Sequence, residues 1–401
     1  MKSKNIFLTL ILLLLLCVIA ACGAGDGAGS MAPSGSYDDT GESDGSVGEG
    51  NNEAIKPGQI TACAYNDNDH YEFWYNLNLS QNGREQLFNK YHTEFAFKTL
   101  NRIHLTLPKD VPTKVSLLGD NNEVLATYHS DKMGNCYLFP TVKKDEYKIE
   151  LSYVDNNGEE VKEIKTITGD TTISYEGANT ATNNIQLMFV IDATGSMGDE
   201  MSYIKAEVID IIDQVKTANP DVVFELAVMV YRDLSDLYVT KYSDFTQDIV
   251  KQQAFLQEQF AQGGGDFEEA VDVALLEASS KQWTENATKI IIHIADAPSH
   301  DQDVQEWESV ASKLAANNIR IITVASSGID LKTEYFFRSQ SMITNGHYVY
   351  ITNDSGIGHN HLEATVEKRP TVEYLNSSLV RLINGYYTGV FKEAIHYRQE
   401  Q

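Results

Sequence analysis

The chain has 401 residues, of which 42% are hydrophobic, and its formal net charge is −26 at pH 7. A surface this acidic argues against proteins that hold nucleic acid or anionic lipid headgroups by electrostatic attraction, so no nucleic-acid partner is expected. The length is sufficient for two hydrophobic cores.

The N-terminal 21 residues have the pattern of an export signal. Lys2 and Lys4 precede an apolar segment over residues 6–21, which is short for a membrane span. The segment ends in Ile-Ala-Ala-Cys-Gly, and this ending resembles the lipoprotein box of bacterial exported proteins. The resemblance implies that residues 1–21 are a lipoprotein signal peptide and that Cys22 is lipidated and becomes the new N-terminus. The alternative is an ordinary signal peptide that a cysteine follows by chance.

Residues 22–54 are predicted to form a disordered acidic tether. They are rich in Gly, Ser, Ala, Asp and Glu and contain almost no large apolar side chain. Such a composition buries too little apolar surface to offset the conformational entropy that folding removes. Together with lipidation, the tether predicts an extracytoplasmic protein that is lipid-anchored at a cell membrane or outer surface.

Residues 55–178 are predicted to form a smaller β-sandwich-like domain. Short apolar stretches alternate with turn clusters rich in Gly, Asn and Asp, and residues 147–153 show the alternation of a half-buried strand. Strands of this length and spacing are typical of β-sandwiches. The predicted strands are 115–118, 124–128, 137–139, 147–153 and 161–167.

Cys63 and Cys136 are the two cysteines of this predicted domain. In an oxidising exterior they could pair, and a disulfide would stabilise the fold by roughly 2–4 kcal/mol. Two separate buried thiols are the other alternative, and the spacing of the cysteines leaves both open.

From residue 183 to residue 390 the pattern changes to strands that alternate with helices. This order predicts an α/β fold with a doubly wound, mostly parallel sheet. The predicted strands are 185–192, 222–231, 289–295, 319–325 and 348–352, with a short edge strand at 237–242. The predicted helices are 201–215, 267–279, 303–316, 331–342 and 372–383.

The most informative stretch is Ile-Gln-Leu-Met-Phe-Val-Ile-Asp-Ala-Thr-Gly-Ser-Met-Gly at residues 185–198. A buried strand ends in Asp192, and Thr194 and Ser196 follow on a glycine-containing turn before a helix. Ligands of open α/β sheets bind at the carboxyl ends of the strands. Clustered carboxylate and hydroxyl oxygens suit Mg²⁺, Mn²⁺ or Ca²⁺. The stretch therefore predicts a divalent-metal site.

Three further aspartates stand at predicted strand or loop ends. Asp266 follows three glycines directly before a helix, and it is either a metal ligand or the N-cap of that helix. Asp296 follows the apolar strand 289–295 and precedes Pro298, as a ligand or as a turn residue. Asp233 ends the second strand, where it lies at the rim of the metal site or has a structural pairing.

The segments DATGSMGDE, VYRD, QGGGDFEEAV and IADAPSH together resemble a von Willebrand factor A (VWA) domain with a metal-ion-dependent adhesion site. The resemblance implies that Thr194 and Ser196 bind the metal directly, and that Asp192 and Asp296 bind it directly or through water. It also implies an open coordination position for the carboxylate of a protein partner. The family usually supplies a threonine from the loop at 263–266, and Asp266 is the nearest oxygen ligand here.

Enzyme functions are poorly supported by the motifs. A serine hydrolase turn needs glycine two residues before the serine, and Thr194 occupies that position before Ser196. His359 and His361 offer two zinc ligands at most, which do not make a site. We therefore predict that the chain is not an enzyme.

The preferred function is a surface or envelope lipoprotein that binds an extracellular or envelope protein through a divalent cation. Two alternatives remain open: a structural envelope lipoprotein whose metal site is vestigial, and an accessory subunit of a metal-dependent enzyme complex.

Overall fold

A computed structural model describes residues 55–399 of the chain. The predicted signal peptide at 1–21, its lipidation site Cys22 and the predicted tether at 22–54 lie outside these residues. Within residues 55–399, no helix combines the length and the apolar composition that crossing a bilayer requires.

The described residues contain strands and helices that we number in chain order. The strands are β1 (Thr61–Tyr65), β2 (Ile103–Thr106), β3 (Lys114–Leu118), β4 (Val124–His129), β5 (Asn135–Leu138), β6 (Tyr147–Val154), β7 (Glu160–Ile167), β8 (Thr171–Thr172), β9 (Asn184–Asp192), β10 (Val223–Tyr231), β11 (Thr240–Thr246), β12 (Thr288–Ala295), β13 (Ile319–Ala325), β14 (Tyr348–Ile351) and β15 (Glu373–Tyr374). The helices are α1 (Tyr71–Leu79), α2 (Gln86–Phe95), α3 (Met201–Ala218), α4 (Ile249–Gln257), α5 (Val271–Ser279), α6 (Val304–Ala316), α7 (Leu331–Ile343) and α8 (Leu375–Thr388).

An eight-stranded sheet in the order β11-β10-β9-β12-β13-β14-β1-β15 forms the centre of the fold. Strands β10, β9, β12, β13 and β14 are parallel, whereas β11 and β1 pair antiparallel. Helices α3, α4 and α8 cover one face and α5, α6 and α7 cover the other. Parallel strands that are buried on both faces read as continuous apolar runs, which is why β9 and β12 were predicted within one residue. The predicted α/β class is confirmed.

The N-terminal part of the predicted β-sandwich-like domain differs from the structure. Strand β1 lies in the large sheet, where it pairs with β14 and β15. Helices α1 and α2 follow it, and the Trp74 ring stacks on Tyr335 of α7 at a centroid distance of 5.8 Å. Residues 55–95 therefore extend the α/β region, because pairing between distant segments decides the sheet to which a short strand belongs.

The remaining N-terminal strands form two small sheets, as the strand pattern predicted. One has the order β5-β2-β8 and the other β4-β3-β6-β7. They share a hydrophobic core with the α6 and α7 face of the large sheet. A hydrogen-bond contact of 2.9 Å between His129 Nε2 and the Ala316 carbonyl oxygen joins β4 to the end of α6.

The disulfide that the sequence left open is not formed. Cys63 and Cys136 are free and buried. Cys63 lies on β1 in the large sheet and Cys136 on β5 in a small sheet, so the two thiols belong to different sheets. Burial raises the pKa of Cys63 to about 11, which keeps this thiol protonated and unreactive at neutral pH. The structure therefore has two separate buried thiols.

A fully buried arginine joins helix α7 to the segment after β1. Arg338 Nη2 lies 2.6 Å from Asp67 Oδ1, and Nη1 lies 3.0 Å from Glu334 Oε1. Arg338 also donates to the Thr365 carbonyl oxygen at 2.6 Å. We call Arg338, Asp67 and Glu334 the arginine cluster.

Candidate metal centre

The loop after β9 brings the three predicted oxygen side chains together. The Asp192 carboxylate is completely buried, and its Oδ1 accepts hydrogen bonds from the Thr194 backbone N–H at 2.9 Å and from Thr194 Oγ1 at 2.7 Å. Thr194 Oγ1 lies 3.2 Å from Ser196 Oγ. Ser196 is exposed. The cluster therefore has a buried end at Asp192 and opens to solvent at Ser196.

Asp296 lies beside this loop because β12 and β9 are neighbours in parallel register, with Ile294 opposite Ile191. Its carboxylate is buried. Burial and the facing charges of Glu200 and Asp199 raise the pKa of Asp296, against an opposing hydrogen bond with Ser196. For Asp192, burial and the charge of Asp296 also raise the pKa. The two carboxylates are thus close enough to disfavour each other's ionisation.

A turn of three glycines at residues 263–265, which we call the glycine turn, packs directly on the Asp192 loop. The Gly195 N–H donates to the Gly263 carbonyl oxygen at 3.0 Å, and the Gln262 N–H donates to the Ala193 carbonyl oxygen at 2.9 Å. Gly264 has a φ of 77°, and a Cβ there would lie 3.3 Å from the Thr194 Cβ. Only glycine combines this backbone conformation with so close an approach.

Glu269, which the sequence reasoning missed, is the third carboxylate of the centre. Its side chain is buried, and burial together with the charges of Asp192 and Asp233 raises its pKa to about 9. The Glu269 N–H donates to the Pro298 carbonyl oxygen at 3.0 Å, which fixes the residue inside the fold. Glu269, rather than the exposed Asp266, is therefore the buried carboxylate that the segment before α5 contributes.

Asp266 does not join the buried carboxylates. It is exposed, and it is not the N-cap of α5, whose N-cap residue is Ala270. The ligand atoms of Asp266, Asp233 and His300 all lie within 4.8 Å of one another, so this rim group could itself hold a metal ion. The glycine turn points Asp266 outward, and the chain re-enters the fold only near Glu269.

The pair between His300 and Asp233 organises the rim. His300 Nε2 lies 2.7 Å from Asp233 Oδ1. Burial lowers the pKa of His300, but the hydrogen bond with Asp233 and the charges of Asp233 and Asp266 outweigh burial and raise it. Asp233 thus lies at the rim, and it also makes a structural pair.

His359 and His361 have separate partners. His361 is buried with Nε2 at 2.7 Å from Glu200 Oε1, whereas His359 is exposed and its backbone N–H donates to Asp199 Oδ2 at 2.7 Å. Both contacts hold the loop after β14 against the start of α3. The two imidazoles do not form a zinc site with each other.

The buried carboxylates carry negative charge that no described side chain compensates, but their ligand atoms do not all lie within 4.8 Å of one another, as those of the rim group do. Asp192 Oδ2, Asp296 Oδ1 and Glu269 Oε2 are buried and, within residues 55–399, have no hydrogen-bond partner. These three residues, which we call the carboxylate cluster, also make no ion pair with a described lysine or arginine. Buried uncompensated charge is costly, and a bound cation would remove that cost. Hard oxygen donors suit Mg²⁺, Mn²⁺ or Ca²⁺.

A doubly wound parallel sheet with acidic and hydroxyl side chains at its carboxyl edge defines a ligand-binding α/β domain. Residues 186–357 match the von Willebrand factor A domain family. The matched residues run from within β9 to just beyond β14 and include the carboxylate cluster.

Two curated proteins are similar to part of the chain. The chain is 25% identical over 237 residues to the alpha-protein kinase vwkA of Dictyostelium discoideum, covering 58% of this chain and 37% of that protein. It is 28% identical over 233 residues to a putative ariadne-like RING finger protein of Acanthamoeba polyphaga mimivirus, covering 53% of this chain and 22% of that protein. The chain thus matches well under half of the length of either relative.

Two solved bacterial structures are also similar. The conserved hypothetical protein BatB from Bacteroides thetaiotaomicron gives a TM-score of 0.36 at 13% identity, over 51% of this chain and 99% of that one. An aerotolerance-related membrane protein from Bacteroides fragilis gives a TM-score of 0.33 at 14% identity, over 51% of this chain and 100% of that one.

Proposed function

We propose that this protein is a lipid-anchored, extracytoplasmic binding protein that holds a protein ligand through a divalent cation in its VWA domain. The presence of a VWA domain supports a protein-interaction or scaffold role. The observation that carries the metal-dependent form of this role is the carboxylate cluster, with three buried, unpaired carboxylate oxygens. The two curated relatives are named as a kinase and a RING finger protein, and a segment shared with such different proteins suits a binding module.

The residues around the proposed cation have distinct tasks. Thr194 holds Asp192 Oδ1 by two hydrogen bonds, which leaves Oδ2 free for the cation. Thr194 and Ser196 supply hydroxyl oxygens, and Asp296 and Glu269 complete the acidic lining. A bound cation supplies positive charge at this point, so that an otherwise acidic surface attracts an acidic side chain of the partner. Ser196, the exposed member, marks the side from which the partner approaches.

Glu269 sets how strongly the cation attracts that partner. Its raised pKa, about 9, favours the protonated acid at neutral pH in the metal-free protein. With Glu269 protonated, Asp192 and Asp296 are the two carboxylates that would balance a divalent cation. If the cation displaces the Glu269 proton, the third carboxylate reduces the net charge that a partner meets.

We propose a non-enzymatic role. His293 is buried in β12, where Nε2 lies 3.0 Å from the Tyr231 hydroxyl and Nδ1 lies 2.8 Å from Gln340 Nε2. Burial lowers the pKa of His293 to about 3, so this imidazole stays neutral and has no access to solvent. Ser196 makes no hydrogen bond with a histidine of the described chain. A serine hydrolase mechanism is therefore unsupported.

The test is capture of envelope and extracellular matrix proteins on the immobilised protein, first with 10 mM Mg²⁺ and then with excess EDTA. We expect retention of a partner in Mg²⁺, its release by EDTA, and no retention by Asp192→Ala. The matched control is Asp213→Ala, which removes an exposed carboxylate on α3. Partner retention that survives both EDTA and Asp192→Ala would contradict the proposal and favour a scaffold role with a vestigial site.

The proposed lipid anchor is tested separately. Cys22→Ser removes the sulfur that the lipoprotein box would modify. We expect the wild-type protein to sediment with membranes and the variant to be released into the soluble extracytoplasmic fraction. Equal membrane association of both forms would contradict lipidation at Cys22.

A further inference from the structure

A small cavity lies at the edge of the large sheet opposite to the carboxylate cluster. Thr288 and Arg320 on its wall stand at the amino ends of β12 and β13, and Tyr386 of α8 and Lys132 of the turn between β4 and β5 complete this part of the lining. The volume of the cavity is about 50 Å³. One ordered water needs roughly 10–15 Å³ of such space, so there is room for a group of about four oxygen-sized atoms. We call this space the basal cavity.

Arg320 differs from the other buried arginines of the protein. Residues 55–399 contain three of them, Arg232, Arg320 and Arg338. Arg232 donates to two carbonyl oxygens, and Arg338 donates to two carboxylates and a carbonyl oxygen. Arg320 is only 7% exposed, yet its Nε is buried without a hydrogen-bond partner in the part of the chain that the structure describes. A guanidinium is always charged and an unmet buried donor is costly, so an acceptor in the basal cavity would stabilise the fold.

The described acids do not neutralise Arg320, although the chain has 57 acidic and 31 basic residues. Arg320 forms no ion pair with any of them. Asp110 and Asp131 also line the cavity. Asp131 is engaged elsewhere, because its Oδ1 accepts from the Asn135 backbone N–H at 2.8 Å and its Oδ2 from Asn135 Nδ2 at 3.2 Å. Asp110 is exposed to solvent.

The charge of Arg320 acts on the basic side chains around it. Burial lowers the pKa of Lys289 and of Lys132, and the charge of Arg320 lowers both further. Burial lowers the pKa of His129 to about 4, and the charges of Lys289 and Arg320 act in the same direction. Positive charge therefore accumulates near the amino ends of β12 and β13, in a protein that is otherwise strongly acidic. An anion in the basal cavity would relieve this repulsion.

We propose that the basal cavity binds a tetrahedral oxyanion, phosphate or sulfate, with the Arg320 guanidinium as its main donor and Lys132 as a second positive charge. The planar fork of a guanidinium matches the oxygens of such an ion, and charge-assisted hydrogen bonds are the strong ones. The ion is either free or the headgroup of a phosphomonoester, whose organic part stays outside so small a cavity. The site lies at the amino edge of the sheet and does not depend on the cation proposed for the carboxyl edge.

The test is calorimetric titration of inorganic phosphate into the full protein at pH 7.5. Ionic strength is held constant with NaCl, and EDTA is present so that no cation at the carboxylate cluster contributes. Glycerol phosphate is titrated in the same way to distinguish a free ion from a headgroup. The variants are Arg320→Gln and Lys132→Gln, and the matched control is Arg369→Gln, which removes a half-exposed arginine outside the cavity. Thermal melts in chloride alone report the folding of each variant.

We expect one saturable phosphate site on the wild type and on Arg369→Gln. Arg320→Gln should weaken binding by at least about tenfold and Lys132→Gln by about threefold, because the guanidinium supplies the charge-assisted hydrogen bonds. In chloride alone, Arg320→Gln should melt no lower than the wild type, since it removes a buried charge that has no partner. Tighter binding of glycerol phosphate than of inorganic phosphate would support a headgroup as the ligand, and weaker binding would support the free ion.

Three results would overturn the proposal. The first is absence of saturable phosphate binding to the wild type. The second is unchanged binding by either cavity variant. The third is a lower melting midpoint of Arg320→Gln in chloride alone, because it would show that the protein itself compensates the charge of Arg320. None of these results bears on the cation at the carboxylate cluster, so the two proposals fail separately.

Discussion

The protein buries two groups of charged side chains, and their hydrogen-bond partners differ. In the arginine cluster, Arg338 lies between Asp67 and Glu334 and its donors are satisfied by carboxylate and carbonyl oxygens. In the carboxylate cluster, three buried acids lie near the Asp192 loop and each keeps one oxygen without a partner in the described chain. Both groups are equally removed from water, so burial alone does not distinguish a structural site from a binding site. The two kinds of site are distinguished by whether the chain itself supplies a compensating charge.

The electrostatics of the two clusters follow from that difference. The facing carboxylates of Asp67 and Glu334 outweigh burial and raise the pKa of Arg338, which stabilises its charge. In the carboxylate cluster, burial and the charges of neighbouring carboxylates raise the pKa of Asp192, Asp296 and Glu269, which destabilises their charges. The first cluster is complete within the chain, whereas the second is completed by a proton or a cation.

The largest expected effect is loss of the compensating charge in the arginine cluster. Arg338→Met leaves Asp67 and Glu334 buried without a cation and should lower the free energy of unfolding by about 3–5 kcal/mol. The measurement is urea denaturation followed by circular dichroism. The control, Arg369→Met, removes a half-exposed arginine that pairs with Asp354 and should cost less than about 1 kcal/mol. Equal losses in both variants would contradict the structural role of the arginine cluster.

Supplying the missing charge to the carboxylate cluster should have the next largest effect. Mg²⁺ at about 100 times its Kd should raise the free energy of unfolding by about 2.7 kcal/mol, because only the folded chain gathers the ligands. Thermal melts with Mg²⁺ and with EDTA measure this shift. In Asp192→Asn the shift should vanish, since one buried ligand charge is removed. A shift of the same size in that variant would place the cation elsewhere, with the rim group of Asp233, Asp266 and His300 as the next candidate.

The carboxylate cluster should make the metal-free protein lose stability as the pH rises. Ordinary carboxyl groups in the unfolded chain titrate near pH 4, whereas the carboxylate cluster titrates higher, up to about 9 for Glu269. The folded state therefore binds more protons than the unfolded state between these values, and its free energy of unfolding falls across that window. Melts in EDTA at pH 5.5 and pH 8 isolate this contribution when the wild type is compared with Glu269→Gln, because buried histidines such as His293 act in the opposite direction in both proteins. The midpoint of the wild type should change less favourably from pH 5.5 to pH 8 than that of the variant, and saturating Mg²⁺ should reduce this difference. An equal change of the midpoint in both proteins would contradict this sign.

The smallest expected effect separates the two acidic candidates of the glycine turn. Glu269→Gln should weaken Mg²⁺ binding by about tenfold, as changes close to a metal typically do, because Glu269 is buried beside Asp192. Asp266→Asn should change it by less than about threefold, since this exposed carboxylate is screened by solvent. The Kd values are compared by calorimetry. The reverse order would restore Asp266 as the ligand.

Sequence patterns predicted the central part of the fold well. The apolar runs of β9, β12 and β13 and the amphipathic pattern of α3 depend on local periodicity, so their positions followed from nearby residues. The sheet to which β1 belongs could not be predicted from its local sequence, because its pairing with β14 joins segments that are far apart in the chain. The same limit applies to Asp67, whose arginine partner lies on α7.

The site was predicted in part, for a similar reason. Asp192, Thr194 and Ser196 are neighbours in sequence, so one turn brings them together. Glu269 follows Glu268 just before α5, and two consecutive acidic residues at this place are typical of a solvent-exposed helix N-terminus. Its burial depends on the contact with the backbone of Pro298, which no local pattern shows. An acidic residue within a few positions of a glycine turn, directly before a buried helix, was the signal available.

Isothermal titration of Mg²⁺ into the EDTA-treated protein at pH 7 measures cation binding at the carboxylate cluster. We expect one saturable site on the wild-type protein, with proton release that appears as a dependence of the enthalpy on the ionisation heat of the buffer. We expect no such site on Asp192→Asn that circular dichroism shows to be folded. Absence of saturable binding to the folded wild-type protein by Mg²⁺, Mn²⁺ and Ca²⁺ alike would contradict the claim that the carboxylate cluster is built for a divalent cation.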